Sequence, residues 1–526
     1  MPIIVSDLKL PFTEPPEQAV TIALRKLGNP AGAKAHIARR AVDARKRRDI
    51  QFVYSVAVSL PRGERETVSR IRDERVRLFE NIRLDVTQSG PPMEHPPVIA
   101  GFGPAGMFAG LLLARHGYKP IILERGADID TRINKVEKFW REGKLDTNTN
   151  VQFGEGGAGA FSDGKLNTRI SDSRCRFVLE ELASRGAPDE ILYEAKPHIG
   201  TDKLRGVVRA IREEILSLGG QIYFNTRLEG LDCTSGKLRA VHTNNGEIPA
   251  QALILALGHS ARDTFKMLTE SGVHTEPKPF SVGVRIEHLQ SDIDKALYGQ
   301  FAGHPLLPPG EYQLSLRHGG RAVYTFCMCP GGAVVPAASE HGALVTNGMS
   351  EFARNGKNAN CALVVSVSPD DFADTGGTEF QRSLERAAFR LGGQTYHAPI
   401  QTVGEFLGKN SGFGRIGPSY IAGVKQINFT EIFSHDIADM LKMGISAFGR
   451  KLAGFDVSDA VLTAVESRTS SPLRMPRGED MRSVGMRGLY PCGEGAGYAG
   501  GIMSAAVDGI AVAQALMGEY RPYKYS

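Results

Sequence analysis

A short glycine motif has the most specific chemistry in this sequence. Residues 101–106 read GFGPAG, directly after the apolar run VIA and before an apolar stretch of helical composition. Gly101 permits a tight turn, and Gly103 has no side chain, so a pyrophosphate can approach the backbone. Gly106 lets the helix pack close to the strand, while the helix N-terminus offers free N–H groups to phosphates. The pattern predicts a dinucleotide site on a βαβ unit.

An acidic residue completes this motif. Glu124 follows the second predicted strand, at 120–123, where a carboxylate can accept a hydrogen bond from a ribose hydroxyl. The same glycine spacing recurs at 154–159, 412–417 and 495–500 in a chain with 60 glycines, so spacing alone is not specific. Only the first copy combines strand, turn, helix, second strand and terminal acid.

A second glycine-rich segment, at 150–169, reads NVQFGEGGAGAFSDGKLNTR and has no apolar periodicity. Its composition predicts a backbone that runs close to a bound group, with Ser162, Lys165 and Arg169 as donors. The alternative is a flexible surface loop. Because the segment follows the βαβ unit, we expect it at the carboxyl edge of the sheet, where ligands bind.

Two further segments end in small residues. LILALGH at 253–259 is expected to be a buried strand, either in the core or making a second close approach to a nucleotide. At 488–508 a short strand ends in Gly493 and Glu494, and a helix opens near Gly501. An acid at a strand end can bond a polyol hydroxyl, while a helix N-terminus favours a phosphate or an electron-rich ring.

Cys327 and Cys329 are candidate redox residues in the run AVYTFCMC. The run reads as a strand, in which residues i and i+2 share a face. Three interpretations remain open: buried structural cysteines, a redox pair, or a metal role. A CxC disulfide would close a small strained ring. The chain has no CxxC or HxxxH pattern, so we predict no metal site.

Composition and charge separate the first part of the chain from the rest. The 526 residues are enough for two or three domains, and the six scattered cysteines form no disulfide framework. The N-terminus lacks signal-peptide features, so we expect a cytoplasmic protein without a membrane span. Residues 1–90 hold 17 Lys or Arg against 11 Asp or Glu, which accounts for the whole net charge of +5.

Residues 1–90 read as β-α-β-β-α-β, the order of a ferredoxin-like split βαβ domain. The predicted strands are 3–10, 35–43, 50–60 and 81–87, and the predicted helices are 17–27 and 64–79. The basic residues of this unit form either a solvated face or a surface for RNA or another polyanion: Arg39, Arg40, Arg45, Lys46, Arg47 and Arg48. A proline-rich linker, GPPMEHPP, follows at 90–97.

The remaining chain divides into three predicted segments. Residues 97–264 hold the first part of a nucleotide-binding domain and a meander with strands at 221–229, 237–243 and 252–256. Residues 265–435 carry short β-prone runs broken by Gly and Pro, which predicts an inserted, largely antiparallel domain. Residues 436–526 are expected to return to the first domain with helix, strand and helix.

These elements together resemble the FAD-binding domain of two-domain flavoproteins of the glutathione-reductase type. More closely, the whole chain resembles the bacterial family of FAD-dependent dehydrogenases, or NAD(P)/FAD-dependent oxidoreductases. The segments that carry the resemblance are VQFGEGGAGAFSDGKLNTR, PHIGTDKL, PFSVGVRIEH, FCMCPGG, NGMS, ESRTSSPLR and YPCGEGAGYAGGI. The resemblance implies an α/β protein: a Rossmann-like FAD-binding domain with an inserted β-rich substrate domain and an N-terminal ferredoxin-like α+β domain.

The resemblance also assigns expected roles to residues. The glycines of 101–106 would hold the FAD pyrophosphate, Glu124 the adenosine ribose, and the backbone near Leu228 the adenine. Glu494 and the helix after Gly500 would meet the ribitol chain and the flavin, with residues 162–165 near the isoalloxazine. The full predicted cofactor-binding set is Gly101, Gly103, Pro104, Ala105, Gly106, Glu124, Arg125, Gly156, Gly157, Ser162, Gly164, Lys165, Leu228, Gly258, Gly493, Glu494, Gly500, Gly501 and Ile502.

The expected function is that of an FAD-dependent oxidoreductase whose small-molecule substrate binds between the FAD domain and the β-rich domain. Lys165, Cys327, Cys329 and Arg468 are the catalytic candidates; Arg468 would bind an anionic substrate or lie in a surface turn. The chain has no second Rossmann fingerprint, so NAD(P)H would dock transiently or the substrate itself would deliver the electrons. The alternatives are a flavoprotein that docks to RNA and an electron-transfer protein without a small substrate.

Overall fold

The computed structural model describes residues 1–79, 84–168, 170–409 and 411–523. The first part of the chain forms an antiparallel sheet of strand order β2-β3-β1-β4 with two helices. This is the order that a split β-α-β-β-α-β chain produces. Its elements are β1 (Ile3–Pro11), α1 (Glu17–Lys26), β2 (Lys34–Asp43), β3 (Gln51–Ser59), α2 (Glu64–Ile71) and β4 (Val76–Leu78).

The second helix of this unit is shorter than the sequence suggests. It ends at Ile71, because Arg72 adopts a left-handed φ of 49° and Asp73 accepts a hydrogen bond from the Arg75 backbone N–H at 2.9 Å. Asp favours such local turns over helix. The last strand is therefore β4 and not the predicted 81–87; residues 84–87 form no strand, and 80–83 lie outside the described residues.

The next region alternates helices and strands around the glycine motif. Its elements are β5 (Val98–Ala100), α3 (Pro104–Arg115), β6 (Ile121–Leu123), α4 (Ile129–Glu142), α5 (Arg174–Ala183), α6 (Thr201–Ser217), β7 (Gln221–Tyr223), β8 (Leu228–Thr234), β9 (Lys237–Thr243), β10 (Gly246–Pro249), β11 (Leu253–Leu255) and α7 (Arg262–Glu270).

The remaining chain is richer in strands. Its elements are β12 (Glu276–Pro277), β13 (Phe280–Leu289), α8 (Gln290–Tyr298), β14 (Ser315–His318), β15 (Arg321–Cys329), β16 (Ala333–Pro336), β17 (Thr346–Met349), β18 (Asn358–Val367), α9 (Gly377–Leu391), β19 (Ala398–Thr402), α10 (Val403–Phe406), β20 (Val424–Gln426), α11 (His435–Lys451), β21 (Val461–Glu466), β22 (Leu473–Arg474), β23 (Leu489–Pro491) and α12 (Ile502–Glu519).

A five-stranded parallel sheet of order β23-β11-β5-β6-β7 carries the glycine motif. Two strands of the predicted meander belong to this sheet instead. β11 lies between β5 and β23, and the strand predicted at 221–229 is split, because Asn225 adopts a left-handed φ of 53°. Only its second half, β8, joins the separate antiparallel sheet, in which β9 lies between β8 and β10.

A seven-stranded sheet of order β14-β15-β18-β13-β21-β19-β20 forms the second large layer. All neighbours are antiparallel except β19 and β20. The sequence predicts that the chain returns to the first domain at residue 436, but part of this segment belongs to the layer of the seven-stranded sheet. Helix α11 packs on β14, β15 and β18, and β21 inserts between β13 and β19. The physical reason is that β21 is fully buried and pairs with a strand far away in the sequence.

Helices α3 and α12 cross closely beneath the parallel sheet. At the crossing, a Cβ added to Gly509 would lie 2.1 Å from the backbone oxygen of Ala105. Among the described residues, α12 is also the one helix that is long and apolar enough to cross a membrane by length and composition, and 61% of it is buried inside the protein. This burial is the pattern of a core helix.

We expect Gly509→Ala to lower the free energy of unfolding by about 1–3 kcal/mol, because the added methyl group forces the two helices apart. Gly518→Ala in the same helix is the control, since nothing lies within 4 Å of a Cβ there. That substitution should leave stability unchanged or slightly raised. Urea denaturation of both variants measures the difference, and equal midpoints would contradict the close crossing.

Candidate active site

A cavity of about 1450 Å³ lies between the carboxyl ends of the parallel strands and the seven-stranded sheet. One wall consists of the residues after β5, β6 and β11; the opposite wall includes residues 324–328 of β15. Sites for small molecules usually measure about 300–1,000 Å³. The cavity therefore has room for a dinucleotide and a second molecule.

The glycine turn lies at the bottom of the cavity. Gly101 adopts a left-handed φ of +105°, and a Cβ there would lie 2.3 Å from the backbone oxygen of Ala256. Gly103 has an ordinary φ of −84°, and helix α3 begins immediately after it. Gly106 lies outside the cavity wall. A Cβ added to it would lie 1.9 Å from the backbone oxygen of Gly101, so only glycine lets the helix pack this closely. The helix N-terminus is thus open to the cavity.

Glu124 is fixed in the wall beside this turn. Its carboxylate accepts hydrogen bonds of 2.9 Å from the backbone N–H groups of Phe102, Gly126 and Gly154. The residue is 4% exposed. Three backbone donors hold a negative charge at the cavity edge, which is the position expected for a group that binds a ribose hydroxyl.

Arg125 also lines the cavity, but its guanidinium is paired within the protein. It donates to both carboxylate oxygens of Asp263, at 2.9 and 3.0 Å, and lies 4.0 Å above the ring of Phe153. Leu228 is at the same end of the cavity. This end is therefore closed by an ion pair and an aromatic ring rather than by a free cation.

A second helix N-terminus opens on the cavity. Gly500, Gly501 and Ile502 line the wall where α12 begins. Glu494, which follows β23, lies in the same wall, and burial raises its pKa to about 7 against the opposing charge of Lys278. This carboxyl group can therefore hold or release a proton near neutral pH.

The glycine-rich segment at 150–169 lies against the first helix N-terminus. Gly157 and Ser162 line the cavity, and the Ser162 hydroxyl donates to the Gly159 oxygen at 2.8 Å. Lys165 also faces the cavity; its ammonium donates to the Met328 oxygen and lies 3.8 Å from Glu311. Arg169, named as a further donor from the sequence, lies outside the described residues.

The structure divides the predicted residues into those in the cavity wall and those behind it. The members of the wall are Gly101, Gly103, Pro104, Ala105, Glu124, Arg125, Gly157, Ser162, Lys165, Leu228, Gly258, Cys327, Arg468, Glu494, Gly500, Gly501 and Ile502. Gly106, Gly156, Gly164, Cys329 and Gly493 lie behind it. The glycines among them shape the loops: a Cβ on Gly164 would lie 2.9 Å from the Gly200 nitrogen, for example.

Sequence reasoning missed a buried arginine in the opposite wall. Arg285 is 0% exposed and donates to Glu466 at 2.7 Å, to Asn347 at 2.9 Å and to the Cys327 backbone oxygen at 2.9 Å. The sequence signal for it is a charged residue inside the apolar run FSVGVRIEHL. A charge in a buried strand needs a partner, because charged residues are almost never fully buried unless they are paired. The positively charged guanidinium of Arg285 is therefore held beside Cys327.

Cys327 lines the cavity, whereas Cys329 is fully buried. Both are free thiols, and the Cys329 thiol donates to the Cys327 backbone oxygen at 3.5 Å. A hydrogen bond from Cys329, together with the charges of Arg285 and Lys165, lowers the pKa of the Cys327 thiol despite its burial. The same hydrogen bond and burial raise the pKa of Cys329.

Arg468 is in the wall, but its charge is balanced inside the protein. Its guanidinium donates to both oxygens of Glu385, at 2.9 and 2.8 Å, and to the hydroxyls of Ser339 and Ser260. Arg262 binds the same carboxylate at 2.7 and 2.9 Å. In place of a free anion-binding arginine, the structure has a buried Arg–Glu–Arg triad.

Two of the basic residues in the N-terminal unit also form ion pairs within the protein. Arg40 forms an ion pair with Glu194, and its backbone N–H and C=O bond to residues 193 and 195. Arg45 is paired with Asp43. These contacts attach the edge strand β2 to the segment that leads to Lys196, a residue of the cavity wall.

The chain is similar to known proteins in sequence and in structure. A family model described as FAD-dependent protein, C-terminal domain-like, matches residues 279–469. A protein of Clostridium beijerinckii, described as uncharacterized, is 50% identical over 497 residues, which is 93% of each chain. Glycine oxidase from Geobacillus kaustophilus aligns with 11% identity and a TM-score of 0.37, over 82% of this chain and 96% of that one. CtdE in complex with FAD aligns with 14% identity and a TM-score of 0.34, over 81% and 84%.

Proposed function

Because the chain belongs to the family of FAD-dependent proteins, we propose that it is an oxidoreductase that binds FAD in the cavity and moves two electrons to or from a small molecule. One observation supports this proposal most strongly. The N-termini of α3 and α12 open on the same cavity, each preceded by glycines in the wall. Helix N-termini bind phosphates and stabilise negative charge.

The residues present fit FAD. Gly103 leaves an open path to the backbone at the start of α3, where a pyrophosphate would bind. Glu124 and the backbone near Leu228 would hold the adenosine part, and Glu494 with residues 500–502 the ribitol and flavin part. When bound, FAD supplies the hydride and electron chemistry.

The protein would orient the cofactor and the substrate, place charged groups beside them and exclude water. The N-terminus of α12 stabilises negative charge on the group in front of it. Glu494 can exchange a proton near pH 7, because burial raises its pKa to that range. The Arg285–Glu466 pair and Asn347 form a polar end of the cavity in the β-rich sheet, where a substrate would meet the cofactor.

An anaerobic titration of the purified holoenzyme tests whether NADH or NADPH reduces the bound flavin. We expect a yellow protein whose released cofactor is FAD and whose visible band is lost on adding NADH or NADPH. A flavin that stays oxidised with both nucleotides would indicate a substrate that delivers its own electrons. A chain that binds no flavin from a solution of FAD would overturn the proposal. Gly103→Val, whose side chain would occupy the space in front of α3, provides the matched control.

A further inference from the structure

Two cysteines at the cavity, one in its wall and one behind it, have no part in the function proposed so far. Cys327 and Cys329 end strand β15, where that strand faces the cavity. Cys327 is in contact with the cavity, and Cys329 is fully buried directly behind it. One thiol is thus open to a bound molecule, and the second is shielded from it.

The strand is distorted at this pair. Phe326 pairs with Ala362 and Cys329 pairs with Asn360, so β15 carries one more residue than β18 between these points. This is a β-bulge, a feature that often re-aims a side chain beside an active site. Cys327 adopts a left-handed φ of 46°, and of the described non-glycine residues with such a φ it alone lines the cavity. Backbone strain of this kind concentrates at functional sites.

The two cysteines are close enough to be joined. Along an extended strand, residues i and i+2 have Cα atoms about 6.7 Å apart, which is the outer limit for a disulfide. Any bend shortens this distance. The Cys329 sulfur already lies 3.5 Å from the backbone oxygen of Cys327. The small ring would be strained, and strained disulfides are the ones that are readily reduced.

The electrostatics differ between the two thiols. Arg285 and Lys165 both bind backbone oxygens of this turn, those of Cys327 and Met328. With the hydrogen bond from Cys329, these cations lower the pKa of Cys327, while the pKa of Cys329 is raised. A low-pKa thiol that faces a cavity, with a buried partner of raised pKa, is the arrangement of an attacking and a resolving cysteine.

The pair also faces the predicted cofactor. A negative charge on Cys327 contributes to the raised pKa of Glu494, which lies in the opposite wall beside the start of α12. In the wall of the same cavity, Thr346 is 1% exposed and its hydroxyl has no hydrogen-bond partner among the described residues. An unpartnered buried hydroxyl in a cavity wall is available to a bound molecule.

We propose that Cys327 and Cys329 form a reversible dithiol–disulfide pair that passes two electrons from the flavin to a disulfide substrate in the cavity. The proposal rests on the flavin function proposed above, which supplies the two-electron reductant. The proposed substrate class is therefore a disulfide whose product is a pair of thiols.

The steps balance as follows in atoms and electrons. The Cys327 thiolate attacks one sulfur of the substrate, the substrate S–S bond breaks, and the first thiolate leaves and takes a proton from solvent. Cys329 loses its proton and attacks the Cys327 sulfur, which releases the second thiolate and forms the Cys327–Cys329 disulfide. The Cys327–Cys329 disulfide would then accept two electrons from reduced FAD and two protons, and would return to two thiols.

The test is an anaerobic titration with dithionite of the holoenzyme after oxidation by the aromatic disulfide dithiobis(nitrobenzoate) and removal of the reagent, with two electrons subtracted for each nitrothiobenzoate group that dithionite releases from a single thiol. The wild type should take up four electrons per flavin, two for the cofactor and two for the cysteine pair. Cys327→Ser and Cys329→Ser should each take up two. Cys175→Ser, a half-buried thiol outside the cavity wall, is the matched control and should take up four.

A second measurement does not depend on the flavin. Counting alkylated thiols in the unfolded chain, before and after mild oxidation, should show a loss of two thiols in the wild type and in Cys175→Ser. Neither Cys327→Ser nor Cys329→Ser should show that paired loss. A wild-type uptake of two electrons, with an unchanged thiol count, would overturn the proposal while leaving the flavin function intact. Failure of the flavin function alone would remove the flavin signal and leave the thiol loss.

Discussion

Gly103→Val is expected to weaken FAD binding at least ~100-fold, equivalent to about 2.7 kcal/mol, without unfolding the protein. The nearest atom to a Cβ at this position is the Gly157 Cα, at 3.6 Å, an ordinary contact. The φ of −84° is also accessible to valine. The side chain would instead fill the space in front of α3 that a pyrophosphate needs.

The control is Gly206→Val in helix α6, where nothing lies within 4 Å of an added Cβ. Binding of FAD to both purified apoproteins can be followed by quenching of flavin fluorescence, with circular dichroism to confirm folding. Equal FAD affinity in the two variants would show that the cofactor does not approach the backbone at Gly103. Loss of folding only in Gly103→Val would contradict the open space found there.

The second large effect concerns the buried triad of Arg262, Glu385 and Arg468. Replacing Glu385 by Gln leaves two guanidinium groups buried without their shared carboxylate. Breaking a buried ion pair by removing one partner usually costs about 3–5 kcal/mol, and we expect a loss of unfolding free energy in that range. Glu379→Gln, on the same helix, removes a carboxylate whose side chain is 41% exposed, and it should cost less than about 1 kcal/mol.

The triad also predicts a pH dependence. Burial opposes ionisation of Glu385, but Arg468 and Arg262 hold its pKa well below the usual range. A carboxyl group with a lower pKa in the folded state stabilises the protein above its unfolded pKa of about 4.3 and loses this contribution as the pH falls. The stability difference between wild type and Glu385→Gln should therefore shrink from pH 7 towards pH 3. A constant difference in urea denaturation over this range would show that the Glu385 charge is not the cause.

The features that the sequence could predict have local physical causes. Gly101 needs a left-handed φ and Gly103 an open backbone, and both requirements are visible in six residues. The same holds for the turn at 244–246, where Asn-Asn-Gly joins β9 to β10. The end of α2 was also local, since Arg72 and Asp73 mark it, but a continuous helical composition obscured it.

The features that it could not predict depend on partners far along the chain. Arg468 reads as a free cation until Glu385, 83 residues earlier, is placed against it. Strand β21 reads as part of the returning first domain until it pairs with β13, across about 180 residues. Arg285 needs Glu466 in the same way. No local pattern specifies such pairings.

The cavity wall that would bind FAD includes residues 101–105 and residues 500–502, with the whole seven-stranded sheet encoded between them. On a ribosome, the first glycine turn emerges long before the second helix N-terminus exists. Until β23 is translated, β11 is an unpaired edge of the parallel sheet, and exposed edges promote association between chains. The proposed FAD site is therefore complete only after α12 has been translated and packs on α3.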